Sequence, residues 1–139
     1  ADRMPEYGPL SALKAWLGES PPRAVLASHF VTDGAIVAGG FRVIATPGHS
    51  PGHTSYFLEE LGVLFAGDAL AICSGRVACM SRFLTDDLVE ARESMLRCLT
   101  LAVRAICPGH RRPLVADVAQ QRRARLDALR RGARWPLFV

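Results

Sequence analysis

The chain has 139 residues, half of them hydrophobic and 22% charged, which is the make-up of one globular domain with a real core rather than of a disordered segment. No apolar run approaches the ~20 residues of a membrane span, and no basic stretch followed by an apolar one opens the sequence, so a cytoplasmic protein is expected. The net charge of +4 is localised: eight arginines from Arg111 onward stand against only Asp117 and Asp127, while residues 1–110 are slightly acidic.

Taken in chain order, PLSALKAWLG (9–18) carries Leu10, Leu13 and Leu17 at helical spacing, and Gly18 with Pro21 and Pro22 predicts its stop. After an irregular stretch to about Asp33 the pattern turns to strands. AIVAG (35–39) and FRVIAT (41–46) are short, β-branched and glycine-separated; TSYFLEE (54–60) and VLFAGD (63–68) follow across a turn at Leu61-Gly62. Both faces of FRVIAT and TSYFLE are largely apolar, as expected of strands covered on two sides. Residues 69–84 read as a loop. A helix follows, with Thr85 as its expected cap, Asp86 and Asp87 in the first turn, and a stripe of Leu88, Ala91, Met95, Leu99 and Ala102. AIC (105–107) is a short buried-type strand. A last helix spans about 117–132, with Val118, Leu126 and Leu129 inward and arginines outward. Strands, then helix, strand and helix, predict an α/β sheet covered by helices. No repeat or linker divides the chain, so residues 1–139 are treated as a single unit: a connecting segment 1–32, a core 33–116, and a basic helix and tail 117–139.

Cys73, Cys79, Cys98 and Cys107 contain no CxxC pair, which excludes the common zinc-finger and thioredoxin spacings and predicts reduced, mostly buried thiols. A Cys73–Cys79 bridge would require an oxidising compartment.

Three tight turns each end in a metal-capable side chain just past a predicted strand. His49 and His53 follow FRVIAT in TPGHSPGH, Asp68 closes VLFAGD, and His110 follows AIC in PGH. If those strands are neighbours, their ends lie ~5 Å apart per strand step and the side chains can converge. Imidazole and carboxylate donors are the ligands of zinc, manganese or iron in hydrolytic sites. The glycines before His49, Asp68 and His110 permit a sharp turn and a close backbone approach. Each residue alone is unremarkable as a signal, since a loop histidine is usually solvated and a Gly-Asp pair usually a turn.

The phrases in this order are more specific. GGFRVIATPGHSPGHTSYFLEELGVLFAGDAL, followed at a distance by AICPGHRRPL, resembles the C-terminal half of a metallo-beta-lactamase-fold hydrolase, with the glyoxalase-II-like group as its nearest flavour. The resemblance covers about residues 33–114 and implies the sheet-plus-helices half of an αββα sandwich. It implies that His49 completes a first metal site, Asp68 bridges two metals and His110 belongs to the second. His53 then supports the loop by hydrogen bonding instead of binding metal. The implied cofactor is one or two zinc ions, with iron or manganese as alternatives. The implied reaction is attack of a metal-bound hydroxide on an ester, thioester, lactone or amide carbonyl, zinc lowering the pKa of water from ~16 to about 7. No side chain beyond the metal-bound water is assigned a catalytic role.

The sequence also departs from that pattern. The HxHxDH motif that completes such sites has no counterpart in these 139 residues, and His29 in LASHF is isolated, so a packing or surface role is expected for it. The chain therefore reads as half a domain. By itself it is expected to show no appreciable hydrolysis and to require its missing half, a homodimer mate or a swapped partner to cover an apolar sheet face. Trp135, Leu137, Phe138 and Val139 are candidates to cover part of the fold. Arg111 stands where the family commonly has a small glycine, which alters the expected pocket mouth. Two other readings remain open. One is a non-catalytic interaction or scaffold module of the same fold, for which the trio would be unnecessary. The other is nucleic-acid binding through Arg122, Arg123, Arg125, Arg130, Arg131 and Arg134, against which stand the commoner solvated basic face and the lack of interleaved aromatics.

Overall fold

Short β-branched runs punctuated by glycine turns build one five-stranded sheet in the computed structural model, which describes residues 29–137. The chain divides into two units at Phe30/Val31, and every described strand and helix belongs to the second. The helix expected over 9–18 lies outside the described residues. His29 is exposed and belongs to the first unit.

The sheet contains β1 (Ile36–Val37), β2 (Phe41–Ala45), β3 (Thr54–Leu58), β4 (Val63–Gly67) and β7 (Ala105–Pro108), in the order β1-β2-β3-β4-β7. The first four strands pair antiparallel, whereas β7 lies parallel to β4. It follows that β2, β4 and β7 run in the same direction and that their C-terminal ends share one edge. The three turns singled out in the sequence all leave from that edge. Strand β1 is shorter than AIVAG because Gly39 and Gly40, at φ 81° and 79°, already form the turn into β2.

Alternation along the strands separates two faces. Ile44, Ser55, Phe57, Leu64, Ala66 and Ile106 point to one side, and the apolar members of this set join the main core with Met95, Cys98, Leu99, Val118 and Leu129. The opposite face carries Phe41, Tyr56, Leu58, Val63, Phe65 and Cys107 in mutual register, and none of them belongs to that core. Phe41 and Phe65 meet edge to face at 5.6 Å, and Phe65 remains 41% exposed. Both faces are apolar, as the strand composition predicts, but only one is filled by the described helices.

The helices are α1 (Leu88–Thr100) and α2 (Val118–Arg130). The cap of α1 is Asp87, not Thr85: its carboxylate accepts the amides of Val89 and Glu90 at 2.8 and 3.0 Å, while the Thr85 hydroxyl donates to the Ser81 carbonyl. A charged acceptor at the positive end of the helix outcompetes a hydroxyl two residues earlier. Ala91, Met95 and Leu99 form the buried stripe together with Ser94 and Cys98; Ala102 lies past the helix end and is exposed. In α2, Val118 and Leu129 are buried and Leu126 packs against the core. Its arginines do not all face outward. Arg122 donates to the carbonyls of Leu99 and Leu101 at the end of α1, and Arg125 Nε donates to the Val77 carbonyl at 2.8 Å. Carbonyls left without partners at a helix terminus make an inward guanidinium favourable.

The segment expected to be a loop contains a hairpin of β5 (Ala71–Cys73) and β6 (Arg76–Ala78). Ser74 and Gly75, at φ 48° and 72°, form its two-residue turn, the backbone that matches strand twist. The Ser-Gly pair between AIC and RVA was the available signal; strands of three residues were too short to register as periodicity. All four cysteines are free thiols: Cys79 and Cys98 are buried, Cys73 and Cys107 half-buried. Burial pushes the Cys98 thiol up to about 11. No described helix is long and apolar enough to cross a membrane.

Candidate metal centre

TPGHSPGH closes on itself and is then pinned to helix α1. The Thr46 amide donates to the His53 carbonyl at 3.0 Å, extending the β2–β3 ladder, and the amides of Gly48 and His53 both donate to Ser50. The Ser94 hydroxyl donates to the Pro47 carbonyl at 2.7 Å, and the Asp87 amide donates to the Gly48 carbonyl at 2.9 Å. Gly48 has φ 123°, and a Cβ there would lie 2.2 Å from the Ala91 backbone nitrogen. Only glycine permits this loop to sit against the first turn of the helix, and that contact aims His49 over the strand ends.

The two histidines of the loop have different surroundings. The rings lie 6.0 Å apart at 80°. His53 Nε2 accepts the Asp68 amide at 2.9 Å, so this nitrogen carries no proton. The proton therefore resides on Nδ1, which lies 2.8 Å from Thr46 Oγ1 and 3.1 Å from the Thr46 carbonyl. Burial lowers the pKa of His53, the Thr46 carbonyl opposing it and His49 adding to it, which favours this neutral form. Both ring nitrogens are thus engaged by the protein. The chain of contacts continues inward: Thr46 Oγ1 lies 2.9 Å from Ser55 Oγ, which donates to the Ala66 carbonyl at 2.9 Å. Thr46 and Ser55 are both fully buried, so this network rigidly links β2, β3 and β4 beneath the site.

Asp68 stands between the other two histidines. His49 Nε2 is 3.4 Å and His110 Nε2 is 3.5 Å from the same oxygen, Oδ2. Strand β3 separates β2 from β4, so His49 reaches Asp68 through its loop; His110 arrives from the adjacent parallel strand β7. The PGH turn is held by the Gly109 amide donating to the Gly67 carbonyl at 2.8 Å, and by paired bonds between Ile106 and Leu114. A Cβ at Gly109 would lie 2.6 Å from Asp68 Oδ1, so the glycine forms the cradle that seats the carboxylate. The sequence pattern singled out this glycine for its turn; its contact with Asp68 emerges only in three dimensions.

Asp68 Oδ1 and His49 Nδ1 are buried with no hydrogen-bond partner among the described residues. An uncompensated carboxylate oxygen beside two imidazoles is costly without a cation, and this donor set fits a divalent metal ion. The set is nevertheless small. Among the described residues no three His, Cys, Asp or Glu side chains enclose a metal position by themselves, and the His110 side chain is 76% exposed. The trio is two pairs sharing one carboxylate, fewer donors than the four of a closed zinc site. A separate cavity of about 260 Å³ beside Asp33, Arg42 and Arg97 holds none of these residues, and its Asp33 is already paired with Arg97.

Comparison with known sequences and structures identifies the family of the fold. The family described as the metallo-beta-lactamase superfamily matches residues 3–110. The chain is 35% identical over 82 residues to the probable metallo-hydrolase YflN of Bacillus subtilis, covering 51% of this chain and 31% of that protein. It is 31% identical over 96 residues to a beta-lactamase-like protein 2 homolog of Caenorhabditis elegans, covering 67% and 30%. Among solved structures, the metallo-beta-lactamase family protein TTHA1429 of Thermus thermophilus superimposes with a TM-score of 0.57 at 29% identity, over 93% of this chain and 48% of that one. TTHA1623, solved in a di-iron-bound form, gives 0.61 at 28% identity, over 80% and 54%. The chain thus spans about a third of these curated relatives and about half of these solved structures.

Proposed function

The chain belongs to the metallo-beta-lactamase superfamily, and from that premise we propose that it contributes the His49, Asp68 and His110 portion of a metal-dependent hydrolase site. The single observation that carries this reading is the shared carboxylate: two imidazole nitrogens lie within 3.5 Å of Asp68 Oδ2, while Oδ1 is buried without a partner. Asp68 holds the centre, His49 and His110 flank it, and His53 fixes the Asp68 backbone instead of ligating. His49, Asp68 and His110 would hold the metal ion, and that ion would supply the Lewis acidity for activating water and stabilising negative charge. Zinc suits these donors best, and the di-iron form of TTHA1623 makes iron the first alternative. The substrate carries an ester, thioester, lactone or amide carbonyl, with glyoxalase-II-like thioester hydrolysis the nearest model.

In this reading the remaining ligands come from outside the trio. No HxHxDH occurs in the 139 residues, and the apolar face of Phe41, Tyr56, Leu58 and Phe65 suits a covering half, a homodimer mate or a swapped partner. The chain alone then gives no appreciable hydrolysis; strong, chelator-sensitive turnover by the purified chain would refute that part.

Metal uptake tests the site. Equilibrium dialysis against zinc should show His49→Ala, Asp68→Ala and His110→Ala each lowering the metal bound by the full chain, with Asp68→Ala the most severe. Unchanged uptake in all three variants would transfer support to a non-catalytic interaction module of the same fold. That rival is favoured by the lack of a closed three-ligand group among the described residues. Nucleic-acid binding has less support, since Arg122 and Arg125 are engaged with backbone carbonyls of their own chain.

A further inference from the structure

Four hydrogen bonds beneath the candidate centre form a circuit that leaves β4 at Ala66 and returns to the chain at Asp68. Ser55 Oγ lies 2.9 Å from the Ala66 carbonyl, and Thr46 Oγ1 lies 2.9 Å from Ser55 Oγ. His53 Nδ1 is 2.8 Å from Thr46 Oγ1, and the Asp68 amide is 2.9 Å from His53 Nε2.

Each hydroxyl has one proton to give, so the two ends of the circuit decide its direction. The Ala66 carbonyl can only accept, which commits the Ser55 proton to it. Ser55 then offers Thr46 nothing but lone pairs, so Thr46 donates to Ser55 and accepts from His53 Nδ1–H. At the other end the Asp68 amide can only donate, and it meets the bare Nε2 that this order leaves. Both ends demand the same arrangement. Thr46 and Ser55 are each 0% exposed, so water does not supply a substitute partner for either hydroxyl. The Cys98 thiol, 4.0 Å from Ser55 Oγ, is a weak partner by comparison.

We propose that Ser55 is a positioning residue of the candidate centre, ordering the circuit so that His53 presents a bare nitrogen to the Asp68 amide. Its consequence for metal binding rests on the reading of His49, Asp68 and His110 as ligands. Without the Ser55 hydroxyl the Thr46 proton loses its acceptor and turns to His53 Nδ1, its other partner. The imidazole proton then sits on Nε2, where it faces the Asp68 amide and two donors oppose each other. The Asp68 turn shifts, and with it the Oδ2 oxygen that His49 and His110 share. Loss of the Thr46 hydroxyl is milder, because Nδ1–H keeps the carbonyl of residue 46 at 3.1 Å. Removing Ser55 is therefore harmful only while the Thr46 hydroxyl is present.

Nuclear magnetic resonance on the isotope-labelled, metal-free full chain tests the ordering. The nitrogen–nitrogen scalar coupling across the hydrogen bond from the Asp68 amide to His53 Nε2 should be present in wild type and lost in Ser55→Ala. It should return in Thr46→Val/Ser55→Ala, although that variant lacks two buried hydroxyls instead of one. Zinc affinity should follow the same order, about tenfold weaker in Ser55→Ala and restored in the double variant to the level of Thr46→Val alone. A merely structural role predicts the opposite, with the double variant the worst of the three. Coupling retained in Ser55→Ala, or not regained in the double variant, overturns the proposal. The wild type provides a readout that needs no variant to fold: a His53 proton found on Nε2 overturns the ordering outright. Normal zinc uptake with coupling and affinity unchanged in Ser55→Ala defeats this inference alone. No zinc uptake by a wild type with the coupling pattern intact defeats the metal-site reading, and leaves Ser55 ordering the Asp68 backbone.

Discussion

The backbone amide of Asp68 donates to Nε2 of His53 at 2.9 Å, so one histidine of TPGHSPGH positions the carboxylate that its neighbour His49 approaches from the other side. Two residues that look equivalent in the sequence therefore do different work. Removing His53 should loosen Asp68 without removing a ligand. His53→Ala is expected to retain the helical circular-dichroism signal but to weaken zinc binding by about 10–100-fold, less than Asp68→Ala. Equal loss in the two variants would identify His53 as a ligand after all.

Gly48 tests how the loop is seated. A side chain there meets the Ala91 backbone at 2.2 Å with φ at 123°, so Gly48→Ala must push the loop off helix α1. A destabilisation of more than about 2 kcal/mol is expected in urea unfolding. Gly52 in the same loop meets nothing within 4 Å and has no positive φ, so Gly52→Ala should be nearly neutral. If both variants unfold at the wild-type midpoint, the loop is not held by that contact.

The helix cap gives a third measurement. Asp87 accepts two amides of the first turn, whereas Thr85 accepts none. Asp87→Ala should cost about 1 kcal/mol of stability. Thr85→Ala should cost less, since it removes one hydroxyl bond to the Ser81 carbonyl. The reverse order would restore Thr85 as the cap.

Asp33 ties the chain before β1 to the end of β2 and to helix α1. Its carboxylate accepts the Ala45 amide at 2.8 Å and pairs with Arg97 at 2.7 Å, and these bonds hold its pKa below the ordinary 3.8. The folded state thus binds this proton less readily than the unfolded state. Its contribution is complete above 3.8 and is lost as pH falls through the lowered folded value. Both side chains are 49% exposed, so the contribution is discounted to less than about 1 kcal/mol. Wild type should exceed Asp33→Asn in unfolding midpoint at pH 7, and the gap should narrow towards pH 3. A gap independent of pH would mean that the charge is not what stabilises the tie.

Much of the fold was legible because it rests on local rules. Alternating β-branched residues marked β2, β3 and β4, and the spacing of Ala91, Met95 and Leu99 marked α1. The three turns ending in His49, Asp68 and His110 were visible because TPGHSPGH, LFAGD and CPGH each follow a strand pattern and occur together in one order, although each alone would read as an ordinary turn. The β5–β6 hairpin escaped because three-residue strands leave no period to detect.

By itself the sequence determined where the metal-capable side chains His49, Asp68 and His110 stand, each just past the end of a strand. Only the tertiary structure decided their relations. Strand β3 lies between β2 and β4, so His49 meets Asp68 through a loop braced on α1, while His110 comes from the adjacent parallel strand. The state of His53 is likewise set by an amide fifteen residues away. A donor's identity is written at its own position, but its direction and charge depend on partners distant in sequence. Folding brings those partners within hydrogen-bond range.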